Sequence, residues 1–236
     1  MKEVDLYIDP EVEKLKQEII NLENEIGLLA TEKGEIERRI HQYQIRYNRE
    51  LGEIIQKIFE KRRDKLKTEA ENDPKKESKY EEAEKDYQDF KGEYERASQT
   101  PPPAVISEEE QSELKEKYRK ACKQCHPDKV AEHLKEKAEQ IFVELQSAYE
   151  NNNLQKVTEL LAKIESGIFD EQADKADTKE LLLKTFESLT ISLQNLQNEV
   201  AQMKEFEVYK TLLTVTNITE HFEKLKSQLL NELEQL

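Results

Sequence analysis

From Val12 onward, apolar residues return at alternating spacings of three and four: Val12, Leu15, Ile19, Leu22, Ile26, Leu29, then Ile36, Ile40, Tyr43 and Tyr47. Lys33 takes the missing position between Leu29 and Ile36. A stripe this narrow, held over five heptads, has the period of a coiled-coil seam and excludes a strand. Asp9-Pro10 supplies a capping side chain and a proline at the first helical position. One long helix is therefore predicted over residues 10–66. Past Tyr47 the seam steps to Leu51, Ile54 and Ile58, a stutter that unwinds the supercoil locally. The seam must be covered, either by a second copy of the chain or by residues 182–213 folding back on it. The homodimer is the favoured expectation. Lys33 acts as a specificity device in either case.

Composition agrees with solvated helices. The 236 residues carry 52 acidic and 37 basic side chains, a net charge of -15, with 38% charged and 36% hydrophobic. That is too little apolar material for two large cores, but enough for helices that each bury one stripe. The expected fold is all-α: a long coiled-coil helix, a helical hairpin and C-terminal coiled-coil helices. An acidic total excludes nucleic acid as a general partner, since phosphate binding needs a clustered positive field. The first sixteen residues hold no apolar signal core. No apolar run reaches 18 residues, so no membrane span is expected. With two cysteines and no export signal, the expectation is a cytoplasmic protein with reduced thiols.

The chain divides in sequence order. Residues 1–68 are the N-terminal helix. Residues 69–106 are a polar helix, restarted at Asp73-Pro74, and a linker stiffened by Pro101, Pro102 and Pro103. Residues 107–168 open with a capping box, Ser107 to Glu110. A helix over 107–124 follows, and His126-Pro127 interrupts it, because proline pushes the residue before it out of helical geometry. A second helix is predicted over 130–150, with Leu134, Ala138, Ile141, Phe142, Leu145, Ala148 and Tyr149 on one side. Asn151 to Asn153 make a turn, and a third helix over Leu154–Glu165 stops at Ser166-Gly167. Residues 169–180 form a linker. Residues 181–236 carry a second heptad run from Leu182 to Met203, a break at 214–220, and a last helix with Phe222, Leu225 and Leu229.

The stretch "ACKQCHPDK", 121–129, holds most of the chemistry. Cys122, Cys125 and His126 fit C-x-x-C-H, the attachment pattern of c-type haem. That chemistry also needs an apolar cavity and a second ligand, and the flanks here are charged. Cys122, Cys125, His126 and His133 are four candidate zinc donors, yet adjacent Cys125 and His126 rarely reach one tetrahedral ion. A thioredoxin-type pair would sit near a βαβ pattern, which is absent. The simpler reading puts Leu114, Tyr118, Ala121, Cys122 and Cys125 on one buried helix face, where small thiols need no redox role. No metal or cofactor is expected. On the other side, Lys115, Arg119 and Lys123 recur every four residues with Lys120 beside them. Such a stripe is either ordinary solvated lysine or a docking surface for an acidic partner.

At these residues the sequence resembles a known module. "ELKEKYRKACKQCHPDKV" is similar to the second helix and loop of a J domain, the module of DnaJ/Hsp40 co-chaperones. "IFVELQSAY" is similar to its third helix. The resemblance spans about residues 107–150. It implies an antiparallel hairpin that docks on Hsp70 in its ATP state and stimulates hydrolysis. It assigns the essential loop to His126, Pro127 and Asp128, and Hsp70 contacts to Tyr118, Lys115, Arg119, Lys120 and Lys123. The family's first helix is missing, and "PPPAV" stands in its place. Tyr87, Phe90 and Tyr94 of the preceding helix are expected to cover the hairpin instead. No Gly/Phe-rich linker or zinc-binding client domain follows.

No phosphate-cradling glycine loop and no nucleophile–base pair is present, so an enzyme is not expected. Two functions remain. One is a specialised J-domain co-chaperone whose coiled coils dimerise it or fix it to a particular assembly or client. The other is a structural coiled-coil scaffold carrying a degenerate J-like domain.

Overall fold

A computed structural model of the chain describes residues 9–127, 130, 132–169 and 179–236. Among them are eight α-helices and no strand. The long helix α1 spans Pro10–Asn72, six residues beyond its predicted end, and the Asp9 carboxylate accepts from the Glu11 amide at 2.9 Å. A 3-10 turn at Pro74–Lys76, capped by Asp73, leads into α2, Glu77–Ser98.

Helix α3 spans Glu108–Cys125 and begins with the predicted capping box: the Glu110 amide donates to Ser107 Oγ, and the Ser107 amide donates to the Glu110 carboxylate. Helix α4, Lys135–Glu150, starts five residues later than predicted. It has no side-chain cap, and a 3-10 turn at Glu132–Leu134 precedes it. Asn152 takes a left-handed φ of 56°, which a short amide side chain tolerates. Asn153 then caps α5, Leu154–Glu165. The second heptad run is α6, Lys179–Lys204, and it ends before a short helix that the sequence did not announce: α7, Glu207–Thr214. Asn217 caps α8, Ile218–Gln235, by accepting from the Thr219 and Glu220 amides.

The chain forms two compact units, and both are discontinuous in sequence. The boundaries expected at 68, 106, 168 and 180 follow chain order, whereas each unit gathers separate segments. The first unit takes the residues up to Arg39 together with Pro103–Tyr209; the second takes Ile40–Pro102 and Lys210–Leu236. Helix α1 contributes a segment to each.

In the first unit α3 and α4 form an antiparallel hairpin, with Tyr118 against Tyr149 at one level and His126 against Phe142 at the other. Helix α5 closes one side with Val157, Leu160, Leu161 and Ile164. The first part of α1 adds Leu15, Ile19, Ile26 and Ala30 to the same core, and α6 adds Leu189 and Leu196. Burying each large aliphatic side chain contributes about 1.5–3 kcal/mol. Helix α6 runs parallel to α1: Glu11 pairs with Lys179, Lys33 with Glu199 at 2.7 Å, and Glu32 with Lys204 at 2.6 Å. The first part of the seam is therefore covered from within the chain by α6, as the fold-back alternative expects. Lys33 meets Glu199 across the seam at 2.7 Å.

The second unit is built on Leu51, Ile55 and Phe222. Ile55 takes the buried position expected of Ile54, which stays partly exposed. Phe222 of α8 packs on Tyr43 at 5.2 Å and under the Arg46 guanidinium at 4.7 Å. His221 hydrogen-bonds the Tyr43 hydroxyl at 3.1 Å. Helix α2 runs antiparallel to α1: Phe90 lies 5.2 Å from Phe59, and Arg63 covers the Tyr87 ring at 4.4 Å. This corrects the expectation that Tyr87, Phe90 and Tyr94 cover the hairpin. All three pack on α1 within the second unit, where residues 40–72 continue an apolar face that needs them.

Candidate functional site: a basic helical hairpin

Helix α3 has two chemically distinct faces. Leu114, Tyr118, Ala121, Cys122 and Cys125 are buried in the core. Neither thiol is in a disulfide, both are fully enclosed, and burial pushes the Cys122 thiol far up, so it stays neutral. A neutral, enclosed thiol is neither a nucleophile nor a ready ligand. The reading of the cysteines as packing residues fits this environment.

Tyr118 needs a correction. The resemblance places it among partner contacts, but it is 1% exposed, with its ring stacked 4.0 Å from Tyr149. It supports the hairpin from inside. The backbone of α1 comes so close here that a Cβ on Gly34 would lie 2.5 Å from the Tyr118 hydroxyl oxygen. The Tyr149 hydroxyl donates to Glu35 at 2.7 Å. Burial pushes the Glu35 carboxyl up, but that bond and Arg38 more than offset it and hold it below its ordinary range. Arg38, itself buried, donates to Asn152 at 2.8 Å, and Asn152 donates to the Ala104 carbonyl at 2.8 Å. The hairpin's open end is thereby pinned to α1.

The polar face carries the basic stripe, and the structure divides it. Lys115, Arg119 and Lys120 are exposed. Lys120 is bonded to Glu116 at 3.1 Å, an exposed pair worth a few tenths of a kcal/mol. Lys123 is half-buried: its Nζ donates to Asn24 at 2.9 Å and its stem lies over Gly27.

His126 ends α3 with extended backbone, φ -61° and ψ 128°, as the following proline requires. Its ring is half-buried and meets Phe142 edge-on at 5.5 Å. Pro127 is half-buried beside it. Asp128 lies outside the described residues. His126 borders a cavity with Lys33, Glu37, Phe142, Gln146 and Glu199. Burial raises the Glu37 carboxyl to about 7; Lys33 opposes this, and Glu150 and Glu199 reinforce it.

The residues that join α1 to the hairpin were missed at the sequence level, although a signal existed. Gly27 and Gly34 stand seven apart in a long helix of a chain with only five glycines. A glycine inside a helix lowers its stability, so a pair in heptad register marks a close approach.

The family model for the DnaJ domain matches residues 104–151. No curated protein and no solved structure matched the chain. The matched segment runs from the Ala104 strap through α3, the His126-Pro127 turn and α4 to the Asn151 turn. This all-α chain thus carries a segment, residues 104–151, that matches the DnaJ domain, set among helices drawn from elsewhere in the sequence.

Proposed function

We propose that this protein is a J-domain co-chaperone that docks on an Hsp70-type ATPase and stimulates its hydrolysis of ATP. The observation that carries this is the placement of His126 and Pro127 at the end of α3, next to a helix face on which Lys115, Arg119 and Lys120 are exposed, within the segment matching the DnaJ domain. Cations exposed on a helix steer an acidic partner into encounter. His126, packed against Phe142 and followed by proline, then favours one of the partner's two states through differential contacts. The nucleotide site belongs to the partner, and this chain is not itself an enzyme. The remaining helices fix the J domain to a particular assembly.

One observation favours the scaffold reading. Lys123 is tied to Asn24, and His126 borders a cavity shared with α1 and α6, so the loop end of the stripe is partly enclosed.

Single-turnover ATP hydrolysis by an Hsp70, measured with the intact protein and with His126→Gln, separates the two. The co-chaperone reading predicts stimulation that disappears in the variant. A folded parent protein that leaves hydrolysis unchanged returns the function to the scaffold.

A further inference from the structure

Lys115 and Arg119 do not stand on an isolated helix face. They form one wall of an open groove whose other side comes from α1 and α7, with Leu28, Ile36, Arg39 and Tyr209. Ile36 closes the floor, while Leu28 is 47% exposed. The Arg39 guanidinium lies over the Tyr209 ring at 5.8 Å and brings a third cation to the rim.

Two carboxylates also line the groove, and both are engaged elsewhere. Glu32 pairs with Lys204 at 2.6 Å, and Glu35 is held by the Tyr149 hydroxyl and Arg38. Lys115 and Arg119 make no ion pair within 4 Å among the described residues, although the Glu35 carboxylate attracts Lys115, whereas Lys117 and Lys120 on the same helix are tied to Glu113 and Glu116. A chain of net charge -15 thus places Lys115, Arg119 and Arg39 around an exposed leucine and a tyrosine ring. That combination fits an acidic segment bearing one apolar side chain. A second copy of this acidic chain is disfavoured by like charge.

We infer that the partner surface of this J domain is composite: Leu28, Arg39 and Tyr209, all outside residues 104–151, complete the wall formed by Lys115 and Arg119, and the groove receives an acidic segment of the Hsp70-type partner with an apolar side chain against Leu28. The inference rests on the co-chaperone reading and adds residues that the J-domain segment does not contain.

The test is equilibrium binding of the intact protein to ATP-loaded Hsp70 across a salt series, with Lys115→Glu, Leu28→Ser, Arg39→Glu and Tyr209→Ala. Circular dichroism and melting of each variant establish that the fold is kept. Binding by the parent protein is expected to weaken with salt. Leu28→Ser and Arg39→Glu are each expected to weaken it about tenfold, comparably to Lys115→Glu, with a smaller loss for Tyr209→Ala. If Lys115→Glu weakens binding and the three variants outside 104–151 bind like the parent, the composite surface is wrong and the co-chaperone reading stands. If the folded parent protein does not bind, both fall. Self-association of the parent that the groove variants abolish would also overturn the inference, by giving the groove to a second copy.

Discussion

Gly34 and Gly52 lie on the same helix, and each admits a tyrosine where a Cβ would stand: Tyr118 over Gly34, Tyr94 over Gly52. The settings differ. Tyr118 is enclosed, stacked on Tyr149 and surrounded by the hairpin core. Tyr94 is half-exposed and stacks on Phe90, at 6.2 Å. The first segment of α1 thus enters a core shared by α3, α4, α5 and α6. The second segment supports a small core centred on three buried side chains, in which aromatic and cation–ring contacts do much of the packing. One helix with one apolar period serves two cores of different depth. Period alone reports that a face is buried, and the neighbours decide what burial is worth.

The largest effect should come from the small core. Phe222 is fully buried there, and Phe222→Ala should cost about 3–5 kcal/mol. Denaturant unfolding followed by amide exchange checks this: α8 and residues 43–60 of α1 should lose protection, while α3 keeps it. Loss of protection in α3 to the same extent would erase the distinction between the two cores.

Next comes the glycine pair. Gly34→Ala forces a methyl group into a ring that is enclosed and stacked on Tyr149, and overpacking of this kind costs about 1–3 kcal/mol. Gly52→Ala meets a ring that can swing into solvent, and the helix gains about 0.5–1 kcal/mol from replacing glycine. Thermal unfolding should therefore show a clear loss for Gly34→Ala and little change for Gly52→Ala. The reverse order would mean that the close approach of α1 to the hairpin is not tight.

Glu37 sharpens the comparison through pH. Its carboxyl, raised by burial to about 7 from an ordinary 4.5, binds its proton more tightly in the folded state. Stability from this group is present at low pH, falls as pH rises from about 4.5, and is lost once pH passes about 7. The charged groups acting on it are Lys33, Glu150 and Glu199. Glu37→Gln stands in for the protonated form, so it should match the parent in acid and exceed it in melting temperature above about pH 7. An advantage that does not grow with pH would remove the burial argument. A modest gain is expected at Gly92 in α2, where an added Cβ meets nothing within 4 Å. Gly92→Ala should stabilise by about 0.5–1 kcal/mol.

Much of this was legible in the sequence. The 3.5 period announced α1 and α6, Ser107 with Glu110 fixed the start of α3, and Asn151 to Asn153 marked the start of α5, because each is a local signal. The paired thiols could be placed on the buried face by spacing alone. What could not be read were long-range pairings. The chemistry of Tyr87, Phe90 and Tyr94 demanded a cover but did not name it, and they went to α1. Tyr118 was assigned to the surface by family resemblance, against the helical spacing that put it with Leu114 and Cys122. The break between α6 and α7 falls at Glu205-Phe206, where no glycine or proline marks it. Arg39, Leu28 and Tyr209 are ordinary residues in sequence and become a rim only when α1 and α7 lie beside α3.

The central claim is that the first segment of α1 is structurally part of the J domain although it lies far from it in sequence. Native-state hydrogen exchange on the intact protein tests this most directly. The prediction is that the slowest amides over residues 15–38 open with the same free energy as those of α3, while those over 47–66 share the value of α8. Residues 15–38 opening at much lower free energy than α3, or α1 exchanging as one uniform helix, would contradict it.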